Sequence, residues 1–141
     1  MHWIIGPLKK YADFGGRASR REFWIFMLFV TVVTAIGHYT DVALGTDTPV
    51  TLRMGICELS ITLLLLLPSI TAGVRRLHDT GRSGWWMMLI YLPWLATLAS
   101  DDNGPLALVA AGALLTGGLV WIILLLLPGD KGDNMFGAPP A

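Results

Sequence analysis

LALVAAGALLTGGLVWIILLLL, residues Leu106–Leu127, decides the reading of this chain. None of its residues is charged. A helix needs about 20 predominantly apolar residues to cross the hydrocarbon core of a bilayer, so this segment suffices alone. It lies inside a longer charge-free run, Asn103–Gly129, which Pro128-Gly129 is expected to end. Working outward, three more charge-free runs appear: Phe23–Tyr39, Leu59–Val74 and Gly84–Ser100. Each is shorter than the first and needs interfacial flanks to span. The second extends back to Leu52 if Glu58 is tolerated, and Pro93 interrupts the third.

Composition agrees. Of 141 residues 54% are hydrophobic and 14% charged, with a mean hydropathy of +0.61. A soluble domain carries about 25% charge. So few charges cannot coat a soluble globule, which argues against a soluble enzyme, and the apolar content excludes disorder. Ten Lys+Arg balance ten Asp+Glu, which excludes a broadly basic nucleic-acid binder. Cys57 is the only cysteine, so there is no intrachain disulfide and no cysteine-rich metal site. The chain reads as an all-α integral membrane protein, a four-transmembrane-helix bundle with a short N-terminal interfacial helix. It is a single membrane domain: an interfacial segment over 1–18, spans at about 20–41, 52–75, 84–100 and 105–128, and a tail over 129–141.

The loops orient it. Lys9, Lys10, Arg17, Arg20 and Arg21 precede the first span, and Arg75, Arg76 and Arg82 lie between the second and third. Lys131 is in the tail. Only Arg53, beside Asp41 and Asp47, falls on the other side, and the last loop carries Asp101 and Asp102 with no cation. Nine of ten cations therefore share one side, and the positive-inside rule makes it cytoplasmic, with both termini. Trp3–Leu8 is too short for a signal-peptide core and is broken by Gly6-Pro7, so the first span is expected to serve as an uncleaved anchor. Trp3, Ile4, Ile5, Leu8 and Tyr11 against Lys9 and Lys10 suit a short interfacial helix, with Pro7 better placed in its first turn than in its interior.

The polar residues cluster. Ser19-Arg20-Arg21-Glu22 fits a capping box, with Ser19 as N-cap of the first span and Gly15-Gly16 before it for a sharp turn. The densest polar stretch runs from Arg75 through Arg76, His78, Asp79 and Arg82 into Trp85-Trp86, a tryptophan pair suited to headgroup depth. Adjacent His78 and Asp79 diverge on a helix, and no second histidine stands at metal-ligand spacing, so no metal is expected. Arg17, Arg75, Arg76, His78, Asp79 and Arg82 are expected to converge on the cytoplasmic face, with Arg17 gripping Asp79 through an arginine fork. One aspartate cannot neutralise four arginines, so the surplus is expected to seek water, lipid phosphate or a ligand. Deeper, His38 and Glu58 form a candidate intramembrane polar pair near the outer ends of the first two spans. Ala107/Ala111 and Ala113/Gly117, with Gly118 alongside, recur at a spacing that lets helices pack closely. Pro68 predicts a kink.

Three of these segments resemble the signatures of a bacterial inner-membrane family known as the domain of unknown function 805 family. The opening one is Phe14-Gly15-Gly16-Arg17-Ala18-Ser19-Arg20-Arg21-Glu22-Phe23-Trp24. The central one is Leu67-Pro68, then Arg75-Arg76-Leu77-His78-Asp79-Thr80-Gly81-Arg82-Ser83-Gly84-Trp85-Trp86. The closing one is Pro128-Gly129, Gly132, Asn134, Phe136-Gly137 and Pro139. The resemblance implies a small polytopic protein of the cytoplasmic membrane and no activity.

On function, the leading expectation is a non-enzymatic membrane protein whose arginine-rich face meets anionic phospholipid or a membrane-protein partner. A rival of equal weight is that the cluster only closes the bundle. A transporter or channel component acting as a homo-oligomer ranks lower, because the third and fourth spans carry no charge. A lipid-headgroup enzyme ranks last, because no known spacing joins His78, Asp79, Ser83 and Glu22. No catalytic residue, cofactor, metal or nucleic-acid partner is expected.

Overall fold

The computed structural model describes residues 2–46, 54–99 and 104–140. Its helices are α1 (His2–Lys9), α2 (Arg20–Leu44), α3 (Ile56–Asp79), α4 (Met88–Ala99) and α5 (Pro105–Leu126), with a 3-10 turn at Gly84–Met87 before α4. No strand forms among the described residues; an isolated antiparallel bridge joins Asn134 and Gly137. By length and composition α2, α3 and α5 qualify as membrane-crossing helices. α4 is a 12-residue helix, shorter than any of the three.

Two helices differ from expectation. α1 carries Pro7 near its C-terminal end rather than in its first turn, and the Lys10 N–H still reaches the Gly6 carbonyl at 3.1 Å. So short a helix loses only the bond from position 7 to the Trp3 carbonyl. α3 runs to Asp79, past Arg75 and Arg76, which the charge-free pattern places at the end of its span. Both arginines are fully buried, so they continue the helix instead of ending it.

The chain divides into two compact units. The first holds Met1–Phe14 and Arg21–Ala72. In it Gly37 of α2 faces α3: a Cβ there would come within 3.2 Å of the Glu58 backbone and 2.7 Å of Ile61 Cδ1. Hydroxyls of Thr31, Thr40, Ser60 and Ser69 donate to carbonyls one turn back, which satisfies them where water is scarce. Pro68 removes the N–H that would have bonded the Leu64 carbonyl. The Tyr11 hydroxyl donates to that same carbonyl at 2.6 Å, a replacement supplied from far back in the chain. Tyr11→Phe is therefore expected to cost about 1 kcal/mol in thermal unfolding. In a Pro68→Ala background, where the backbone N–H returns, the cost should vanish; equal costs in both backgrounds would refute the link.

The second unit holds Gly15–Arg20 and Gly73–Ala141. α3 ends here in a Schellman motif. Gly81 adopts φ +69°, its N–H reaches the His78 carbonyl at 3.0 Å, and the Arg82 N–H reaches the Leu77 carbonyl at 3.0 Å. Ser83 opens the 3-10 turn by accepting the Trp85 N–H at 3.4 Å. α4 and α5 pack together, with Gly117 set against the Leu89 carbonyl. The Trp121 indole N–H points to the Met87 sulfur at 3.3 Å. The small residues that α5 buries are Ala110 and Gly117; Ala111 and Ala113 are exposed.

Candidate functional site

In the second unit Arg17 leaves the loop before α2 at a sharp turn, where Gly16 has φ +75°. The Ala18 N–H bonds the Arg75 carbonyl at 3.0 Å, which fixes this loop along the end of α3. The Arg17 guanidinium is then surrounded by acceptors. Nε donates to Asp79 Oδ1 at 2.9 Å, and Nη2 lies 2.9 Å from the same oxygen. Nη1 donates to the Gly132 carbonyl at 2.7 Å and the Gly137 carbonyl at 3.3 Å, and Nη2 donates to the Asp130 carbonyl. The side chains of Arg17 and Asp79 are only 1% and 6% exposed.

Asp79 Oδ2 belongs to a second arginine, Arg76, through its Nη1. The expected fork onto both oxygens of one carboxylate is thus replaced by a carboxylate shared between two guanidiniums. Arg76 does more: Nε donates to the Leu125 carbonyl at 3.0 Å and Nη2 to the Leu127 carbonyl. Arg20 Nη1 donates to the Leu126 carbonyl at 3.3 Å. These are carbonyls at the C-terminus of α5, which have no partner within the helix and carry its partial negative charge. The surplus of arginine over aspartate is absorbed there by backbone oxygens, which a count of side-chain charges omits.

The tail completes the arrangement. The Asp130 N–H bonds the Asp79 carbonyl at 2.8 Å. Asn134 Nδ2 donates to the His78 carbonyl and to Asp130 Oδ2, each at 2.9 Å, while its Oδ1 accepts the Phe136 N–H at 2.9 Å. Phe136 stacks on the His78 ring, centroids 3.8 Å apart and planes 4° from parallel, and His78 Nδ1 faces the Gly16 carbonyl at 3.2 Å. Gly129 packs so close that a Cβ would overlap the Asp79 carboxylate. Of the six residues singled out, Arg17, Arg76, Asp79 and His78 join one network of side chain, loop and tail. Arg75 lies buried beside it, tied in through its backbone carbonyl. Arg82 stands apart, half-exposed, with Nη1 on the Thr80 carbonyl at 3.2 Å. Gly132, Asn134 and Phe136 stand in the closing signature quoted above, but the partners that tie them to the network, Arg17 and His78, are long-range and leave no local pattern.

The first unit holds the other pair. His38 Nδ1 lies 3.0 Å from Glu58 Oε2. One turn beyond His38, buried Asp41 accepts the N–H groups of Cys57 and Glu58 at 3.0 and 2.8 Å and the Thr46 hydroxyl at 2.7 Å. It caps the N-terminus of α3 from the last turn of α2, and Gly55 leaves room for it. In the sequence Asp41 reads only as a loop charge. The cap comes from the preceding helix and not from the residue before α3, so it fits no capping box. Asp41→Ala is expected to speed hydrogen exchange at the Cys57 and Glu58 amides while leaving the end of α3 protected. Unchanged exchange would refute the cap.

Among the described residues no group of three His, Cys, Asp or Glu side chains is placed to hold a metal ion. The family described as "Protein of unknown function (DUF805)" matches residues 11–138. The chain is 32% identical to inner membrane protein YhaI of Escherichia coli (strain K12), over 99% of its length and 96% of the relative's. It is 31% identical to inner membrane protein YhaH of the same strain, over 99% and 97%. A further relative, uncharacterized protein YiiR of that strain, is 27% identical over 89% and 84%. No solved structure matches.

Proposed function

From the premise that the chain belongs to the family of proteins of unknown function DUF805, we propose that it is a non-enzymatic polytopic protein of the bacterial cytoplasmic membrane that meets anionic phospholipid through its cytoplasmic cations. In this reading α2, α3, α4 with its 3-10 turn, and α5 make four crossings of a single membrane domain. α1 lies in the interface and both termini are cytoplasmic. The names of the two relatives, the cation asymmetry and the length of α2, α3 and α5 support it. At 1.5 Å per α-helical and 2.0 Å per 3-10 residue, the α4 crossing reaches about 26 Å, and the hydrocarbon core is about 30 Å. Exposed Trp85 and Trp86 at one end suit the remaining depth.

The observation that carries the reading is that exposed cations are left outside the buried network around Arg17. That network behaves as a latch closing one end of the second unit, with its guanidiniums committed to Asp79 and to carbonyls. The charge available to lipid is then narrowed to exposed Lys9, Lys10, Arg20, Arg21 and Lys131 and half-exposed Arg82, of which Arg20 also holds the Leu126 carbonyl. Such residues are each worth about 1 kcal/mol against an anionic leaflet. Replacing Lys9, Lys10, Arg21 and Arg82 together by glutamine should strip phosphatidylglycerol from the protein in native mass spectrometry while leaving its melting unchanged. Equal retention would overturn the lipid role. For topology, single cysteines at positions 47 and 102, outside the described residues, should label from outside in a Cys57→Ser background. Labelling only after permeabilisation would overturn the orientation.

A further inference from the structure

On the first unit, α2 and the start of α3 line an open groove of about 460 Å³. Val30, Thr34 and Ala35 form its length, and His38, Tyr39 and Glu58 form its polar end. From Val30 to His38 is about 12 Å of helix. We infer that this groove binds one phospholipid whose headgroup carries a primary ammonium beside its phosphate.

The polar end is held in place. Asp41 pins the Glu58 backbone N–H at 2.8 Å, and Gly37 lets α3 approach α2 closely enough for the Glu58 carboxylate to meet His38. His38 occupies Oε2. Among the described residues Oε1 takes no hydrogen bond, nor does the Tyr39 hydroxyl. A positioned carboxylate with one open oxygen at the end of an apolar groove selects a cation that can donate N–H bonds. A trimethylated ammonium has no such donor and relies on an aromatic cage, whereas the groove offers one benzenoid ring, Tyr39. The Tyr39 O–H, at the same end of the groove, is a donor for the phosphate that neighbours the ammonium in such a headgroup. Val30 and Ala35, extending away from the polar end along a helix long enough to cross a membrane, suit an acyl chain and not a soluble amine. His38 acts as a positioning residue: it holds one oxygen of Glu58 and leaves the other for the ligand.

The inference rests on α2 crossing the bilayer, and not on which leaflet the groove meets. The full chain is reconstituted in nanodiscs of equal phosphatidylethanolamine and phosphatidylcholine, and retained lipid is read by native mass spectrometry. The ethanolamine lipid should be enriched. Glu58→Gln should lower its retention about tenfold, the factor expected for one charge-assisted hydrogen bond, with melting unchanged because the cap uses the backbone and not this carboxylate. Ala35→Trp, which fills the groove and spares the polar end, should lower retention as well. Equal retention of both lipids, or undiminished retention in Glu58→Gln, overturns the inference. Competition by glycerophosphoethanolamine as strong as by the whole lipid would overturn the lipid as occupant. Extraction of the chain from membranes by alkaline carbonate would end the membrane reading itself; a carbonate-resistant protein without lipid preference ends only this inference.

Discussion

Asp79→Ala is expected to destabilise the detergent-solubilised protein by roughly 3–5 kcal/mol, the usual cost of removing one partner from a buried ion pair. The alanine leaves Arg17 and Arg76 buried with no carboxylate between them. Their carbonyl partners at Gly132, Asp130, Leu125 and Leu127 carry only partial charges, so two full positive charges would face each other across the gap. Arg17→Lys should fall between wild type and Asp79→Ala. An ammonium has three donors on one atom and cannot serve Asp79 on one side and the Gly132 and Gly137 carbonyls on the other. Thermal melting followed by circular dichroism reads both. A melting temperature for Asp79→Ala indistinguishable from wild type, with the tail amides as protected from hydrogen exchange as before, would show that the network is not what holds the tail to the end of α3. Loss of tail protection alone, with the helices melting as before, would place its effect in the latch and not in the rest of the fold.

The helices were legible because absence of charge is a one-dimensional property: the four charge-free runs lie over α2, α3, α4 with its 3-10 turn, and α5. Where the sequence misleads, a charge does something three-dimensional. Arg75 and Arg76 look like the end of a span, yet the helix continues to Asp79 with both buried, Arg76 turned onto the carbonyls of α5. Asp41 looks like a loop acid, yet it caps a helix that starts only at Ile56. The pairing of Arg17 with Asp79 was open to argument from charge balance, but the division of Asp79 between two arginines was not. That depends on where α5 stops, and carbonyls at a helix end leave no mark in a sequence. The tail shows the same limit. Pro128-Gly129 marks the end of α5, and nothing in the residues after it says that Phe136 will lie flat on His78.

Gly117→Leu is expected to cost at least the upper part of the roughly 1–3 kcal/mol typical of overpacking. The reason is the nature of the obstacle. A Cβ at position 117 overlaps the carbonyl oxygen of Leu89, and a backbone oxygen in α4 cannot rotate away as a side chain can. Even Gly117→Ala should therefore separate α4 from α5, and the larger branched side chain should do more. Position 113 supplies the internal control. It lies one turn away on α5 and is paired with 117 by spacing alone, yet Ala113 is exposed on the rim of an open groove with Leu92 and Pro93. Ala113→Leu should leave melting unchanged. If the two substitutions destabilise equally, the four-residue spacing would describe the interface better than the packing of Gly117 against Leu89. If only the first does, the contact is set by where α5 turns its one backbone-close glycine, and the neighbouring small residues are free to face lipid.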